Sequence, residues 1–284
     1  MFDRRLLEDF DWILLLTVVT ISIIGLISIY SASYSYGTET PYFQKQIIWF
    51  CVSLVTMAIV TMIDYRFLER LSPLLHLFMI ILLLVVLMYG IGGPGSRVNR
   101  WIKLGPLFFQ PSEFVKYTLV LFFAYYFNES RRIGNLGVKE LIWPLVATLV
   151  PFALILKQPA YGTAILLIFM FITIIFLAGI RLKIILFTTI LGFISVPFAW
   201  IFFLKQYHRD RIQIFFNPEL DPLGKGYQII QSKISVGSGQ FWGKGYLNGT
   251  QARLNFLPAR HTDFIFSVFT EEWGFFGGVV LVGL

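Results

Sequence analysis

The sequence predicts an all-α fold, a polytopic bundle of transmembrane helices. Of its 284 residues, 57% are hydrophobic, 18% are aromatic and only 14% are charged, and the mean hydropathy is +0.74. This composition excludes both an ordinary soluble domain and a disordered chain. Strands of a membrane barrel are about 10 residues long and alternate in polarity, whereas the apolar runs here are longer and apolar on every face. The predicted fold is therefore helical.

About eight apolar runs are long enough to cross the hydrocarbon core of a bilayer, which takes about 20 residues. The first run is too long for the apolar part of a signal peptide, and no small-residue cleavage site follows it, so we expect it to remain as the first span. We expect residues 1–284 to form a single integral-membrane domain. The runs lie at residues 12–34, 45–63, 71–90, 111–128, 139–158, 162–180, 182–204 and 264–284.

The short loops favour a cytoplasmic N-terminus, because basic residues concentrate in the loops that this orientation places inside. The segment at 205–262, between the seventh and eighth runs, then lies outside the cell and is long enough to be exempt from this rule. The single cysteine, Cys51, excludes an intrachain disulfide. The predicted inside residues are Arg4, Arg5, Arg66, Arg70, Arg131, Arg132, Lys139, Arg181 and Lys183, against Lys45, Arg97, Arg100, Lys103 and Lys157 in the short outside loops.

The outer segment at 205–262 is longer than a plain connection needs, so we expect it to contain structure. Apolar residues at 229, 230 and 234 suit one face of a short amphipathic helix over the bundle. The stretch "GSGQFWGKG", at 237–245, lacks a phosphate-binding loop pattern, because Ser238 and Gly245 stand where Gly and Ser or Thr are required. We interpret it as flexible turns. The three histidines show no metal-ligand spacing, and no metal site is predicted.

The formal net charge of +7 has two explanations. Basic residues can simply mark the membrane surface, but many of them fall in the predicted outer segments. A diphosphate or carboxylate substrate held at the outer surface would explain that excess through charge-assisted hydrogen bonds. A nucleic-acid partner does not fit that side of the membrane.

Two charges in the fourth run form the first candidate site. In "QPSEFVKY", Pro111 suits a helix start, and Glu113 and Lys116 follow three residues apart on one face. Favourable interaction with the helix dipole explains Glu113 but not Lys116, which lies deeper in an apolar helix. We predict an internal ion pair facing a water-filled cleft.

The stretch "LPARHTDFIFSVFTEEWGFFG", at 257–277, carries the second candidate site. Asp263 begins the eighth run at the outer surface, and Glu271 lies about 12 Å deeper and about 80° around the helix. Asp263 is therefore within reach of a substrate in the outer leaflet, while Glu271 and Glu272 are expected to be internal partners for cations of the bundle. Capping of the eighth helix by Asp263 is the structural alternative.

Three stretches resemble the SEDS family (shape, elongation, division and sporulation), and its elongation-type members more than its division-type ones. They are "QPSEFVK" at 110–116, "RDRIQIFFNPELDPLGKGYQIIQSKISVGSGQFWGKGYLNGTQ" at 209–251 and "FLPARHTDFIFSVFTEEWGFFG" at 256–277. The resemblance implies a ten-span glycosyltransferase of the bacterial cytoplasmic (inner) membrane that polymerises lipid II outside the membrane. It also implies as partners a class B penicillin-binding transpeptidase and other membrane proteins of the elongation complex.

The resemblance assigns the essential acid to Asp263 and the membrane pair to Glu113 and Lys116. We expect further cations to contact the substrate or its diphosphate. A divalent cation, Mg²⁺ or Mn²⁺, is compatible with this chemistry, although the sequence shows no dedicated cage for one. The expected substrate-binding residues are Glu113, Lys116, Arg100, Arg211, Lys233, Arg260 and His261.

Two departures from the family pattern bear on activity. Ala160 stands where the family has an aspartate, in "KQPAYGTA". Leu284 falls at the end of the eighth run, and we expect a shortened chain without the last two family spans. Two alternative functions stay open: a transporter that moves lipid II across the membrane, and a scaffold that only recruits a penicillin-binding protein.

Overall fold

A computed structural model describes residues 10–34, 41–92, 99–105, 107–129, 137, 139–179 and 206–284, with isolated helical residues at 186, 190 and 194. The predicted span at 182–204 lies outside these described residues. The chain divides into two compact units, one of Met1–Ile59 with Ala199–Leu284 and the other of Val60–Phe198.

Most elements of the described chain are helices. Their order is α1 (Trp12–Ser33), α2 (Pro41–Thr61), α3 (Tyr65–Tyr89), β1 (Ile91–Gly92), β2 (Asn99–Leu104), β3 (Leu107–Phe109), α4 (Pro111–Glu129), α5 (Ile142–Lys157), α6 (Tyr161–Leu177), α7 (Gln206–Phe216), α8 (Lys225–Ser238), α9 (Thr250–Arg253) and α10 (Ile265–Gly283). Short 3-10 turns at Lys139–Leu141 and Pro218–Leu220 precede α5 and α8.

Five helices among the described residues are long and apolar enough to cross a membrane, and α6 is apolar but shorter. They are Trp12–Ser33, Pro41–Thr61, Tyr65–Tyr89, Lys139–Lys157 and Ile265–Gly283. This confirms the polytopic helical fold, and the observed ends lie within six residues of the predicted runs, with the largest difference at the start of α3. Helix α4 forms where a span is predicted but is not among the five, since charged and polar residues such as Glu113, Lys116 and Asn128 lower its apolarity.

Local sequence signals account for several helix ends. The Asp11 carboxylate accepts a hydrogen bond from the Leu14 amide at 2.9 Å and caps α1. Asp64 does the same for α3, with the Arg66 amide at 2.8 Å. Side-chain oxygens at these positions satisfy amides that the first helical turn leaves unpaired. Pro111 begins α4, as predicted.

The segment that follows α3 contains a small sheet that the sequence analysis missed. Strands β1, β2 and β3 form an antiparallel sheet in that order, and the register of β2 with β3 pairs Leu104 with Leu107. Gly105, in the turn, has a φ of 62°, a conformation that favours glycine. This hairpin carries Arg100 towards the start of α6.

The core of the unit Val60–Phe198 lies where α3, α4, α5 and α6 meet. Val115, Leu119 and Phe123 follow one another at helical spacing on α4 and are fully buried. His76 of α3 is buried and bonds both Thr118 Oγ1 at 3.2 Å and the Ala147 carbonyl at 3.0 Å. It is therefore a packed residue that ties three helices together.

The other unit is organised around α10. Helices α1 and α8 both pack on α10, and a small apolar cluster of Ala32, Ala252, Leu257 and Val268 lies beside it. The segment at 206–262 contains α7, α8 and α9, which confirms that it is structured. The predicted amphipathic helix is α8, and it packs directly on α10.

Candidate active site

Asp263 lies just before the first turn of α10. The N-cap of α10 is Phe264, no side chain caps the helix, and Asp263 is exposed. No hydrogen bond or ion pair joins its carboxylate to a residue of the described chain. The capping alternative is therefore wrong, since a cap residue would accept a hydrogen bond from the first-turn amides. The carboxylate is left available to a ligand.

Arg260 holds in place the segment that ends at Asp263, the site loop (residues 255–263). Arg260 donates through Nε to the Ala32 carbonyl at 2.6 Å, and through Nη1 to Asn255 Oδ1. Partial burial lowers the pKa of Arg260, but from so high an ordinary value that the guanidinium stays charged at neutral pH. Arg260 thus anchors the site loop to the end of α1. It also places a positive charge in the same loop as Asp263, three residues before it.

The His261 ring stacks on Tyr42 at the start of α2, with ring centroids 4.1 Å apart and planes 27° from parallel. Both rings line a cavity of about 470 Å³ that also includes Ser33 and Arg260. The Ser33 hydroxyl is buried and has no hydrogen-bond partner among the described residues. A buried polar atom normally finds a partner, so this hydroxyl is a free group that a ligand in the cavity would satisfy.

Glu271 is fully buried on α10, two helical turns after Asp263, and accepts an unusual number of hydrogen bonds. Lys244 forms an ion pair with it at 2.6 Å, and the amide and hydroxyl of Thr250 donate at 2.8 and 2.9 Å. Ser235 and Ser238 of α8 add hydroxyl contacts at 3.2 and 3.4 Å. The expectation of a cationic partner is correct, but the cation comes from the segment after α8 rather than from a bundle helix.

Glu272 is also buried, and its contacts differ from those of Glu271. It accepts a hydrogen bond from the Ser31 hydroxyl of α1. No described cation forms an ion pair with it. The prediction of a cation partner is therefore wrong for Glu272, whose partner among the described side chains is the Ser31 hydroxyl.

Helix α10 is interrupted two residues after Glu272. Gly274 has φ 68° and ψ −170°, which breaks the helical hydrogen-bond ladder. The segment at 240–245, the crossing loop, supplies the missing partners. Lys244 and Gly245 amides donate to the Glu271 and Glu272 carbonyls at 3.0 Å each, and the Phe275 amide donates to the Gln240 carbonyl at 2.8 Å. An interrupted helix is tolerated inside a membrane protein when other backbone satisfies the freed groups.

The crossing loop approaches α10 so closely that glycine is required on both sides. A Cβ on Gly243 would overlap the Glu272 carbonyl, and one on Gly274 would overlap the Gly243 amide. Gly243 also has a φ of 82°, in the left-handed region. The interpretation of 237–245 as flexible turns is therefore wrong: the glycines serve close backbone packing.

The unit Val60–Phe198 contains the other predicted pair. Lys116 Nζ lies 2.7 Å from Glu113 Oε2 in the first turns of α4, and both side chains are partly exposed. Ser112, beside them, is buried and accepts a hydrogen bond from the Gln110 amide group at 3.0 Å. The predicted ion pair is present, and it leaves polar surface at the start of α4.

Arg100 of β2 is engaged with backbone rather than with a carboxylate. Its Nε donates to the Gln158 carbonyl at 2.9 Å and its Nη2 to the Pro159 carbonyl at 2.6 Å. The next residue, Ala160, is the N-cap of α6 and makes no side-chain capping bond. The aspartate that the SEDS resemblance leads us to expect there would stand at a capping position beside Arg100. A substrate contact by Arg100 stays a prediction.

The two remaining predicted residues are less defined. Lys233 is exposed on α8, and no hydrogen bond joins it to another described residue. The backbone of Arg211 lies in α7, but its side chain lies outside the described part of the structure. Substrate contacts by either residue stay predictions.

A metal cage is not evident at the candidate site. Among the described residues, no group of three or more His, Cys, Asp or Glu side chains is arranged to hold a metal ion. Asp263 is the one carboxylate of the site loop, and Arg260 and His261 precede it. Mg²⁺ and Mn²⁺ prefer several oxygen ligands, so these residues do not by themselves fit a resident cation.

Sequence reasoning missed the residues that support this site. Tyr42, Ser33 and Ser31 are far from Asp263 in the chain and carry no motif that would pair them with it. Gly274 gives no distinctive signal either, because Gly277 and Gly278 lie in the same helix and do not interrupt it.

Comparison with known proteins places this arrangement in a family. Residues 11–284 match the FtsW/RodA/SpoVE family of cell cycle proteins. The peptidoglycan glycosyltransferase MrdB of Escherichia coli (strain K12) is 37% identical over 274 residues, covering 96% of this chain and 72% of that protein. The probable peptidoglycan glycosyltransferase FtsW of Trichlorobacter lovleyi is 39% identical over 285 residues, covering 98% and 74%.

A solved structure agrees with the sequence matches. It describes the structural coordination of polymerization and crosslinking by a peptidoglycan synthase complex, and it superposes with a TM-score of 0.77 at 31% identity. The match covers 97% of this chain and 74% of that chain. The chain therefore belongs to the FtsW/RodA/SpoVE family, in agreement with the SEDS resemblance of its motifs.

Proposed function

We propose that this protein is a peptidoglycan glycosyltransferase that joins lipid II units into glycan strands at the outer face of the bacterial cytoplasmic membrane. The observation that carries the proposal is Asp263. It is an exposed carboxylate at the start of a membrane helix, it does not cap that helix, and its loop is held beside a cavity with a charged Arg260. Curated relatives of similar sequence are peptidoglycan glycosyltransferases.

In the proposed reaction, two lipid-linked disaccharides meet beside the site loop. The 4-hydroxyl oxygen of the acceptor GlcNAc forms a bond to the anomeric carbon of the donor MurNAc, and the bond from that carbon to the diphosphate breaks. Asp263 accepts the proton of the hydroxyl, and undecaprenyl diphosphate leaves with the electron pair of the broken bond. Atoms and charges balance without any further reactant.

Asp263 is a weak base for a sugar hydroxyl, so its contribution depends on position and on a late proton transfer. When the carboxylate is already held against the reacting hydroxyl, the two groups do not have to meet by diffusion, and the entropic part of the activation barrier is lower. General-base assistance of this kind typically contributes about 10²- to 10⁴-fold in rate. Arg260 lies on the same loop, and its charge would stabilise the developing diphosphate.

The proposal extends to location and partners. The excess of basic residues in alternate short loops supports a cytoplasmic N-terminus, which places the site loop outside the cytoplasm. A related structure is a complex that coordinates polymerization with crosslinking. By that similarity we propose a class B penicillin-binding transpeptidase as the partner of this protein, within the elongation complex.

Reconstitution tests the proposed function against its alternatives. The purified protein, with its transpeptidase partner, is placed in liposomes that contain lipid II, and both glycan strands and lipid II translocation are measured. A glycosyltransferase forms strands, and an Asp263→Ala variant forms none. Translocation without strands would instead identify a transporter, and neither activity would identify a scaffold; either result contradicts the proposal.

A further inference from the structure

A charged cleft in the unit Val60–Phe198 is not used by the proposed reaction. It has a cavity volume of about 700 Å³ and lies between the first two turns of α3 and the C-terminal half of α4. Helices α3 and α4 are antiparallel here, since Glu69 contacts Asn128 while His76 contacts Thr118 further along. The cleft therefore lies at the end of α3 opposite to the β-hairpin. Its lining is Tyr65, Arg66, Glu69, Arg70, Leu121, Ala124, Tyr125 and Asn128.

The charges in this cleft are not balanced. Arg66 and Arg70 are exposed one helical turn apart, and neither forms an ion pair with a described residue. The Arg66 guanidinium makes a long contact of 3.4 Å to the Tyr65 hydroxyl and lies 5.8 Å from the centre of the Tyr65 ring. The one acid, Glu69, accepts a hydrogen bond from the Asn128 amide group at 2.7 Å. Asp64, the cap of α3, lies near Arg66 but bonds the Arg66 amide and is not part of the lining, so two guanidinium groups face the cleft against one bonded carboxylate of the lining.

The α4 side of the cleft consists of the apolar residues Leu121 and Ala124, followed towards the end of the helix by Tyr125 and Asn128. Leu121, Ala124, Tyr125 and Asn128 recur at helical spacing on one face, and Ala124 is exposed. Because α3 is long and apolar enough to cross a membrane, its first turns lie near one bilayer surface. Tyrosine and arginine at that depth, above an apolar floor, match the polar and apolar parts of a phospholipid.

We propose that this cleft binds an anionic phospholipid. Arg66 and Arg70 hold the headgroup phosphate through charge-assisted hydrogen bonds, and an acyl chain lies on Leu121 and Ala124. In the orientation proposed above, the lipid belongs to the cytoplasmic leaflet. The lipid site does not depend on the glycosyltransferase activity, and its failure would leave that proposal intact.

Native mass spectrometry of the purified protein with added phosphatidylglycerol tests the site. Each guanidinium near a phosphate contributes about fivefold in affinity, so the double variant Arg66→Gln, Arg70→Gln should bind phosphatidylglycerol about 25-fold more weakly. Phosphatidylcholine, whose choline cation offsets its phosphate charge, should bind the wild-type protein more weakly than phosphatidylglycerol and lose less affinity in the double variant. The matched control is Lys139→Gln, an exposed cation at the start of α5, which should change phosphatidylglycerol affinity by less than about twofold.

A second variant separates a lipid from a small anion and covers a folding failure of the first. Ala124→Trp fills the apolar floor while both arginines remain, so it should also weaken phosphatidylglycerol binding, whereas millimolar inorganic phosphate should not displace the lipid from the wild-type protein. Size-exclusion chromatography checks that each variant is folded. Wild-type affinity in a folded double variant or in Ala124→Trp would overturn the proposal, as would full displacement by phosphate.

Discussion

Asp263 and Glu271 lie on consecutive parts of the same chain segment, and their surroundings assign them opposite roles. Glu271 is buried and accepts hydrogen bonds from several donors, so its oxygens are committed. Asp263 is exposed, with no partner among the described residues. A carboxylate whose lone pairs are free can accept a proton from a substrate, whereas one held by an ammonium group serves to fix structure.

Loss of Lys244 should destabilise the protein, because it leaves the buried Glu271 without its cation. Removal of one partner of a buried pair typically costs about 3–5 kcal/mol. Lys244 is 28% exposed and the hydroxyl donors remain, so we expect about 2 kcal/mol for Lys244→Met. Thermal unfolding in detergent measures it, with Lys233→Met on the exposed face of α8 as the control. Equal unfolding temperatures for the two variants would contradict the role of Lys244.

Tyr42 should position the site loop through its ring rather than its hydroxyl. An aromatic stacking contact contributes about 0.5–1.5 kcal/mol, which corresponds to roughly 2- to 13-fold in rate if it is lost. We therefore expect Tyr42→Ala to lower kcat/KM for strand formation by that factor and Tyr42→Phe to retain it. Equal losses of kcat/KM in the two variants would show that the stacking of Tyr42 on His261 does not position the site loop.

Ala160→Asp should stabilise α6. Ala160 is the N-cap of α6 and makes no capping bond, and aspartate at such a position contributes about 1 kcal/mol. Ala160 is only 4% exposed and packs in the apolar core of its unit, so the gain requires the charge of Arg100, bonded to the two preceding carbonyls, to offset the cost of burying the carboxylate. Thermal unfolding should show a higher midpoint for Ala160→Asp, a smaller rise for Ala160→Ser and none for Ala160→Val. A lower midpoint for the aspartate variant would contradict the cap assignment.

The residue pairs that the sequence predicted are those whose spacing fixes their distance. Glu113 and Lys116 lie three residues apart on one helix, so a helix prediction alone brings them together. Lys244 and Glu271 are 27 residues apart, and their contact depends on how the crossing loop folds back on α10. The stack of Tyr42 on His261 spans a still longer separation. Distant pairs of this kind leave no periodic signal.

At the scale of elements, the defining feature is the interruption of α10 by the crossing loop. Apolar length predicted the helix itself within a residue or two of its observed ends. Apolar length did not predict the break at Gly274, because a hydropathy average over about 20 residues changes little with one glycine. The small sheet at β1 to β3 was missed for a related reason: its strands are only two to six residues long and carry too few alternations to detect.

Replacement of glycine at the crossing should disrupt it, whereas replacement elsewhere should not. Gly274→Ala places a Cβ against the Gly243 amide and requires a positive φ, so we expect a loss of more than about 2 kcal/mol of stability. Gly237→Ala in α8 is the control, since a Cβ there meets nothing within 4 Å and alanine favours the helix. Thermal unfolding compares them; equal stability of the two variants would contradict the packing account.

At the scale of the whole molecule, charge asymmetry predicts which side of the membrane holds the site. Cys51 is the only cysteine, so the Cys51→Ala variant is free of cysteine and single cysteines can be introduced into it for labelling. An impermeant maleimide applied to intact spheroplasts should label Glu219→Cys and should label Lys139→Cys only after permeabilisation. Both positions are exposed in the structure. The reverse pattern would place the site loop in the cytoplasm and contradict the proposed orientation.

The central claim is that Asp263 takes part in the chemical step and not in folding or substrate binding. The most direct test measures lipid II binding and single-turnover strand formation for Asp263→Asn, which keeps the shape of the side chain but is no proton acceptor. Glu219→Gln, an exposed neutralised carboxylate of the same outer segment, is the control. For Asp263→Asn we predict unchanged lipid II binding and single-turnover glycan-strand formation slower by at least about 10²-fold. For Glu219→Gln we predict no change in either measurement. Strand formation at the wild-type rate would contradict the account.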